Sequence, residues 1–558
     1  MAKTDMRLRG ARAGEAARGL QPPTWDTLTL GLFLVAIIMV LLTFKDYGVT
    51  WDADVHRWYG VFVLDYYLSG FHDLRSLHWL DLFNYGGAFD ALAAAFDRVS
   101  PFGTYETHHL LNALVGLTGI VGTWKLGHAL GGPRAGFIAA LFLLLTPNYY
   151  GQMFNNPTDI PFAAGAIWSI YYIVRLLPLL PRPPLSLVLR FGLACGLTLG
   201  VRVGGFLFLA YLGLALALFA MWRGLEVREP GIFARDAAAC LARVFLPALA
   251  VAYAVMLICW PWAQRAPIAH PFAALATFSH EAFPFRTLFD GRHIEASDLP
   301  WTYLPVYIAL TLPELILALV TAAPFVALWA LRRGFAPLGR DAILGRFLIA
   351  FAIVFPVAYA IAIKAVLFNG MRHFMFMLPP IAVAAALVAD RALDWLAQQS
   401  WRAAAYGALA LYGLTQITIM ARLHPDEYVY YNALIGGPEG AQGLFRLDYW
   451  ANSYAQAVRG LRRRLKARYG ADFMRHDFTV AVCGPPASAV YYFPPNFIYT
   501  ANRKKADFFI AFTKDGCNKS LPGKTVYRVE RMGTLLSVVL DRRPIVAHAK
   551  GALIAGSR

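Results

Sequence analysis

Thr27-Leu-Thr-Leu-Gly-Leu-Phe-Leu-Val-Ala-Ile-Ile-Met-Val-Leu-Leu-Thr-Phe44 is a run without a charge, followed at once by Lys45-Asp46 and then by Trp51-Asp52-Ala53-Asp54. As a helix it would be about 27 Å long, close to the thickness of a bilayer's hydrocarbon core. The polar, basic stretch before it, residues 1–26, is expected to be a cytoplasmic tail. No small-residue cleavage site follows a short apolar core, so the run is expected to remain as a helix and not to be removed as a signal peptide.

Working outward, similar runs recur near 108–127, 133–147, 159–178, 186–201, 204–222, 244–262, 303–330, 347–367, 373–389 and 403–421. The pattern predicts a polytopic α-helical membrane protein of about eleven spans over residues 27–421. Composition agrees: of 558 residues 58% are hydrophobic and 15% charged, where soluble domains have about half and a quarter. The net charge of +17 raises the question of nucleic acid. No nucleic-acid module is present, and basic residues of membrane proteins gather in cytoplasmic loops, so nucleic acid is excluded as a partner.

Those basic residues also orient the bundle. Lys3 to Arg18, Arg182 and Arg190, Arg223 to Arg243, Arg332 to Arg346, and Arg391 with Arg402 occupy alternate loops. All fall on one side if the N-terminus is cytoplasmic. Two long loops, 45–107 and 263–302, and the segment 422–558 then face outward. The last reads as a small α/β domain: a basic helical run at Tyr454–Tyr469, then β-like runs at Phe478–Val482, Asp507–Phe512 and Leu535–Leu540. It carries 21 basic against 10 acidic residues, which long outward domains tolerate. Cys195, Cys240 and Cys259 lie in apolar runs, whereas Cys483 and Cys517 would pair if their compartment is oxidising.

Ionisable residues near spans are costly and usually functional, and here they share one level. Asp52 and Asp54 follow the first span; His108 and His109 open the second from outside; Asp159 opens the fourth. Arg202 closes the fifth, Lys364 lies near the outer end of the ninth, and Arg372 and His373 begin the tenth. Such a set can hold a phosphate with Arg or Lys while carboxylates take a proton or bind a cation. Each residue also has a plainer reading. Arginines at helix ends snorkel, His108 and His109 suit an interface, Asp54 suits a solvated loop, and Asp159 after Pro157 suits a helix N-cap. The outer loop 263–302, with Glu281 and His293, is expected either to cover the site and bind acceptor or to be solvated.

The stretch Tyr47-Gly-Val-Thr-Trp-Asp52-Ala53-Asp54-Val-His-Arg-Trp-Tyr59-Gly60 resembles the first outer loop of GT-C fold membrane glycosyltransferases, the superfamily of protein O-mannosyltransferases and lipid A aminoarabinose transferases. Tyr105-Glu-Thr-His-His-Leu-Leu-Asn112, Phe154-Asn-Asn-Pro-Thr-Asp159-Ile-Pro-Phe162, Leu299-Pro-Trp-Thr-Tyr-Leu-Pro305 and Arg372-His-Phe-Met-Phe-Met-Leu-Pro-Pro380 resemble a bacterial branch of it. So do Tyr430-Tyr-Asn-Ala-Leu-Ile-Gly-Gly437 and Asp448-Tyr-Trp450. Two departures stand out: Ala53 where the superfamily's acidic pair has Glu, and Thr158 where the branch often has Lys.

The resemblance implies a polyprenyl-phosphate sugar as donor, an extracytoplasmic acceptor, and transfer with inversion in a bacterial inner membrane. Asp52 would be base or metal ligand, sharing a divalent cation (Mg, Mn or Zn) with Asp159, with Asp54 as a substitute carboxylate. Arg202, Lys364, Arg372 and His373 would hold the donor phosphate. Two rival functions remain in the sequence: a lipid-linked saccharide flippase, which charges deep within spans would favour, and a non-catalytic carrier-binding relative, which Ala53 would favour.

Overall fold

The computed structural model describes residues 24–280, 286–332 and 339–546. Among these, eight helices are long and apolar enough to cross a membrane: Trp25–Thr43, Thr104–Leu144, Asp159–Leu179, Val203–Val227, Gly231–Cys259, Arg340–Ala362, Arg372–Leu396 and Arg402–Leu423. Two shorter apolar helices, Leu185–Leu199 and Glu314–Trp329, accompany them. Burial differs sharply among the long ones. Only 17% of the apolar window in Trp25–Thr43 and 11% in Arg402–Leu423 is covered by protein, against 78% in Asp159–Leu179. Helices that expose so much Leu, Ile and Val need an apolar surrounding, which a bilayer provides.

Two expected boundaries change. The runs 108–127 and 133–147 belong to one helical element broken at Gly132, whose φ of 85° lies in the left-handed region. The chain reverses there, since a Cβ on Gly127 would stand 3.0 Å from that of Ala139, whereas twelve residues of straight helix span about 18 Å. Pro133 then starts the return arm. The expected span 303–330 is likewise two helices, Tyr303–Thr311 and Glu314–Arg332. Pro313 pushes Leu312 into an extended conformation (ψ 142°), and Asn432 Nδ2 satisfies the freed carbonyls of Ala309 (2.6 Å) and Leu312 (2.8 Å).

The loop 45–107 carries two helices, Ala53–Leu68 and Ala88–Asp97. The C-terminal sheet runs in the order Phe497–Tyr499, Phe478–Val482, Phe508–Phe512, Thr534–Asp541, Lys524–Arg531, parallel across the first three and antiparallel thereafter. Helix Tyr454–Tyr469 packs on one face, burying Tyr454, Ala457, Val458, Leu461 and Leu465. This 3.6-residue stripe leaves Arg462, Arg463 and Arg464 exposed.

Between span and sheet, residues 425–432 and 445–452 are buried, and the stretch between them is mostly exposed; the segment's ends reach the first outer loop. Gly48 N donates to Asn452 Oδ1 (2.6 Å) and Trp51 N to the Trp450 carbonyl (2.9 Å). The approach leaves no room for a side chain: a Cβ on Gly48 would fall 2.2 Å from the Asn452 carbonyl oxygen. Tyr47 stacks on Phe154 at 3.9 Å and its hydroxyl donates to Glu427.

Candidate active site

Asp52 precedes helix Ala53–Leu68 but makes no capping hydrogen bond, so its carboxylate is free to turn elsewhere. It turns to Arg372, whose Nη1 is 3.1 Å from Oδ2. Arg372 begins the short 3₁₀ turn that leads into helix Leu378–Leu396. Its guanidinium lies over the rings of Phe368 (5.0 Å) and Trp450 (5.5 Å), both of which favour a cation at their faces. Its Nε donates to His373 Nε2 (3.3 Å), so His373 acts there as a neutral acceptor.

Asp159 opens helix Asp159–Leu176, yet it is not the cap. Asn156 does that work: its Oδ1 accepts from Asp159 N (2.9 Å), and its Nδ2 donates to Asp159 Oδ2 (2.7 Å). The other carboxylate oxygen meets Arg202 Nη1 at 2.5 Å. Arg202, in the break after helix Leu185–Leu199, also donates to Thr158 Oγ1 (3.2 Å). Thr158, which stands where a lysine is often found in the resembling branch, thus helps to orient a cation supplied by another helix. The guanidinium lies 5.5 Å from the ring of Tyr85.

The two pairs form one constellation. Tyr85 feels the charges of Arg202, Arg372, Asp159 and Asp52 together, and Arg372 those of both aspartates. Burial tends to raise the Asp52 carboxyl, but Arg372, and after it His56, hold it below the usual carboxylate range. His56 is itself buried. Burial pulls its pKa down, but the Asp90 carboxylate at 3.1 Å outweighs this and raises it.

Other expected residues lie elsewhere. Asp54 accepts from Tyr105 OH (2.7 Å) and faces Arg57 (3.9 Å), away from Asp52, because two residues along a helix turn the side chain by about 200°. His108 bonds Asp97 (2.9 Å), and His109 is buried beside Tyr47. Lys364 is exposed, with a φ of 51°, and its side chain makes no ion pair among the described residues. His293 sits exposed on strand Arg292–Glu295, 3.9 Å from Asp515. Glu281 lies outside the described residues. Conversely, Tyr85, His56 and Trp450 join the constellation without having been singled out for chemistry, although His56 and Trp450 stand within the stretches that carry the resemblance.

A divalent cation does not fit this arrangement. Each aspartate is already engaged by an arginine, and no group of three or more His, Cys, Asp or Glu side chains gathers among the described residues. Nor does the constellation coincide with the cavity of about 960 Å³ bordered by Asp26, Trp124, Lys125, Arg175 and Asp341, which lies at the opposite ends of the helices.

No family model matches the chain, and no curated protein matches it. Solved structures to which the chain is similar include ArnT from Cupriavidus metallidurans bound to undecaprenyl phosphate, at 15% identity and a TM-score of 0.45, covering 92% of this chain and 98% of that one. The archaeal oligosaccharyltransferase AglB from Archaeoglobus fulgidus, in complex with an inhibitory peptide and a dolichol-phosphate, is 12% identical with a TM-score of 0.46 and coverages of 87% and 69%. Arabinosyltransferase EmbB from Mycobacterium smegmatis is 17% identical with a TM-score of 0.39, covering 66% of this chain and 31% of that one.

Proposed function

We propose that the protein is an inverting membrane glycosyltransferase that moves a sugar from a polyprenyl-phosphate donor to an extracytoplasmic acceptor. The observation that carries this reading is the meeting of Asp52–Arg372 and Asp159–Arg202 at one end of an apolar helical bundle. A lipid phosphate can reach such a level from the bilayer, and guanidinium forks match its oxygens. The reading has eleven crossings: the eight long helices, the two shorter ones and the return arm after Gly132. It places the N-terminus in the cytoplasm and the C-terminal sheet outside, in a bacterial inner membrane.

In this mechanism the donor phosphate competes with Asp52 for Arg372 and with Asp159 for Arg202. Capture of Arg372 removes the main influence that depresses the Asp52 carboxyl, so its basicity rises when donor is bound. Asp52 then takes the proton of the acceptor hydroxyl or amine as that atom attacks the anomeric carbon. The bond from that carbon to the phosphate oxygen breaks, and its electron pair leaves on the phosphate. The configuration inverts, and the arginines stabilise the charge that develops. No step is routed through a metal.

The test is transfer in membranes from radiolabelled polyprenyl-phosphate sugars, with wild type against Asp52→Asn. Loss of a general base lowers the rate by about 10²–10⁴-fold, whereas binding of a polyprenyl phosphate persists. Full activity in Asp52→Asn refutes the base. Binding without transfer by wild type favours the carrier-binding reading, and translocation across vesicles without transfer favours the flippase.

A further inference from the structure

The strand Phe508–Phe512 leads into a loop, Lys514–Lys519, that is tied down twice. Cys517 is disulfide-bonded to Cys483 on the neighbouring segment, and Asp515 pairs with the buried Arg446 at 2.6 Å. Asp515 (φ 52°) and Gly516 (φ 70°) turn the backbone tightly between those anchors. The result is that Lys514 Nζ stands 4.4 Å from the ring centre of Trp51, which also packs against Phe512. Trp51 is the residue immediately before Asp52.

Lys514 is therefore brought from the C-terminal sheet to the edge of the candidate active site. Its ammonium feels Arg446 and Asp515 first and, after them, Asp52 and Arg372, and it makes no ion pair among the described residues. Asp515, its neighbour, is engaged by Arg446. Burial, and after it the nearby Arg446, push the lysine below its ordinary pKa.

Charge balance gives this lysine a task. Asp52 with Arg372 and Asp159 with Arg202 cancel one to one, so the constellation is neutral without Lys514. A phosphodiester-linked donor brings one negative charge, and the departing phosphate gains a second. Neither is balanced by the two aspartate–arginine pairs.

We propose that Lys514 is a binding residue for the donor's phosphate, delivered by the C-terminal domain, and that the Cys483–Cys517 disulfide holds its loop in place. This rests on the reading of the site as one for polyprenyl-phosphate sugars. A lysine suits the role because a point charge on a flexible stem can follow the phosphate as its charge grows, while the arginine forks fix its orientation.

The experiment measures binding of a radiolabelled polyprenyl monophosphate to the full-length protein in nanodiscs, for wild type, Lys514→Met, Lys514→Arg and Arg202→Gln, each with and without dithiothreitol. Loss of one charge-assisted contact weakens binding about tenfold. Lys514→Met is expected to show this loss and Lys514→Arg to restore most of it. Reduction of wild type is expected to weaken binding similarly, with little further effect on Lys514→Met. Wild-type affinity in Lys514→Met, together with weakened binding in Arg202→Gln, overturns the role of Lys514 and leaves the parent reading intact. Equal weakening of wild type and Lys514→Met on reduction overturns the disulfide's part. Absence of binding by wild type overturns both readings. If Lys514→Met fails to fold, Lys514→Gln and reduction of wild type supply the same comparison.

Discussion

Replacing Arg202 with glutamine tests whether the paired charges are physically coupled as the structure has them. Asp159 is 2% exposed and Arg202 16%, so the pair is largely out of water. Removing one partner from a buried pair costs about 3–5 kcal/mol, because it strands the other charge. Asn156 still donates to Asp159 Oδ2 in the variant, which places the expected loss near the lower end, about 3 kcal/mol. Asp159→Asn should be destabilised by a similar route, since Arg202 then loses its counter-charge. The double variant Asp159→Asn/Arg202→Gln leaves two neutral amides that can bond each other. It should recover roughly 2 kcal/mol of the summed losses as coupling energy. The assay is denaturation of the four proteins in one detergent, followed by tryptophan fluorescence, with lipid-phosphate binding measured in parallel. The double variant should fall short of the summed losses by that amount, while binding shows no such recovery, because the phosphate's fork is gone. Unchanged stability in Arg202→Gln, or strictly additive losses in the double variant, would refute the coupling.

Other outcomes are expected on the same grounds. Chelation by EDTA should leave transfer unchanged, since arginines occupy both carboxylates; a loss restored by Mg²⁺ or Mn²⁺ would show that a metal displaces them. His424, beside Glu427 (2.8 Å) and Asp46 (3.1 Å), is lowered by burial but raised more by these carboxylates, to about 9. A raised histidine stabilises fully below its unfolded pKa of about 6.5 and loses that contribution as pH rises through the folded value, here at most about 3 kcal/mol. Denaturation midpoints should therefore fall between pH 6.5 and 9 in wild type and stay flatter in His424→Gln; equal slopes would count against the cluster. Gly48→Ala should destabilise by about 1–3 kcal/mol through overpacking, as its Cβ would meet the Asn452 carbonyl at 2.2 Å. A wild-type midpoint in that variant would mean that the 424–452 segment can withdraw.

How far each feature was legible depended on the range of the interactions behind it. The apolar run 27–44 corresponds closely to helix Trp25–Thr43, and the basic stripe at Tyr454–Tyr469 became the helix with those bounds. Both follow from periodicity within one segment. Pro313 was visible in the chain, but the break it makes was hidden, because the carbonyls it frees are satisfied by Asn432 from far along the sequence. Asp159 was visible as a charge at a helix start, whereas its release from capping depended on Asn156 taking that role.

Sequence alone determined that this is an apolar, multi-helical chain with its ionisable residues at helix ends, since hydropathy and charge are properties of each segment. Tertiary structure decided which of those residues meet. It paired Asp52 with Arg372 and Asp159 with Arg202, sent Asp54 to Tyr105, left Lys364 exposed, and carried Lys514 to Trp51. The reason is geometric. A side chain's partner is set by where breaks such as Gly132 and Leu312-Pro313 turn the helices and by how the 424–452 segment docks, and no local spacing encodes those directions.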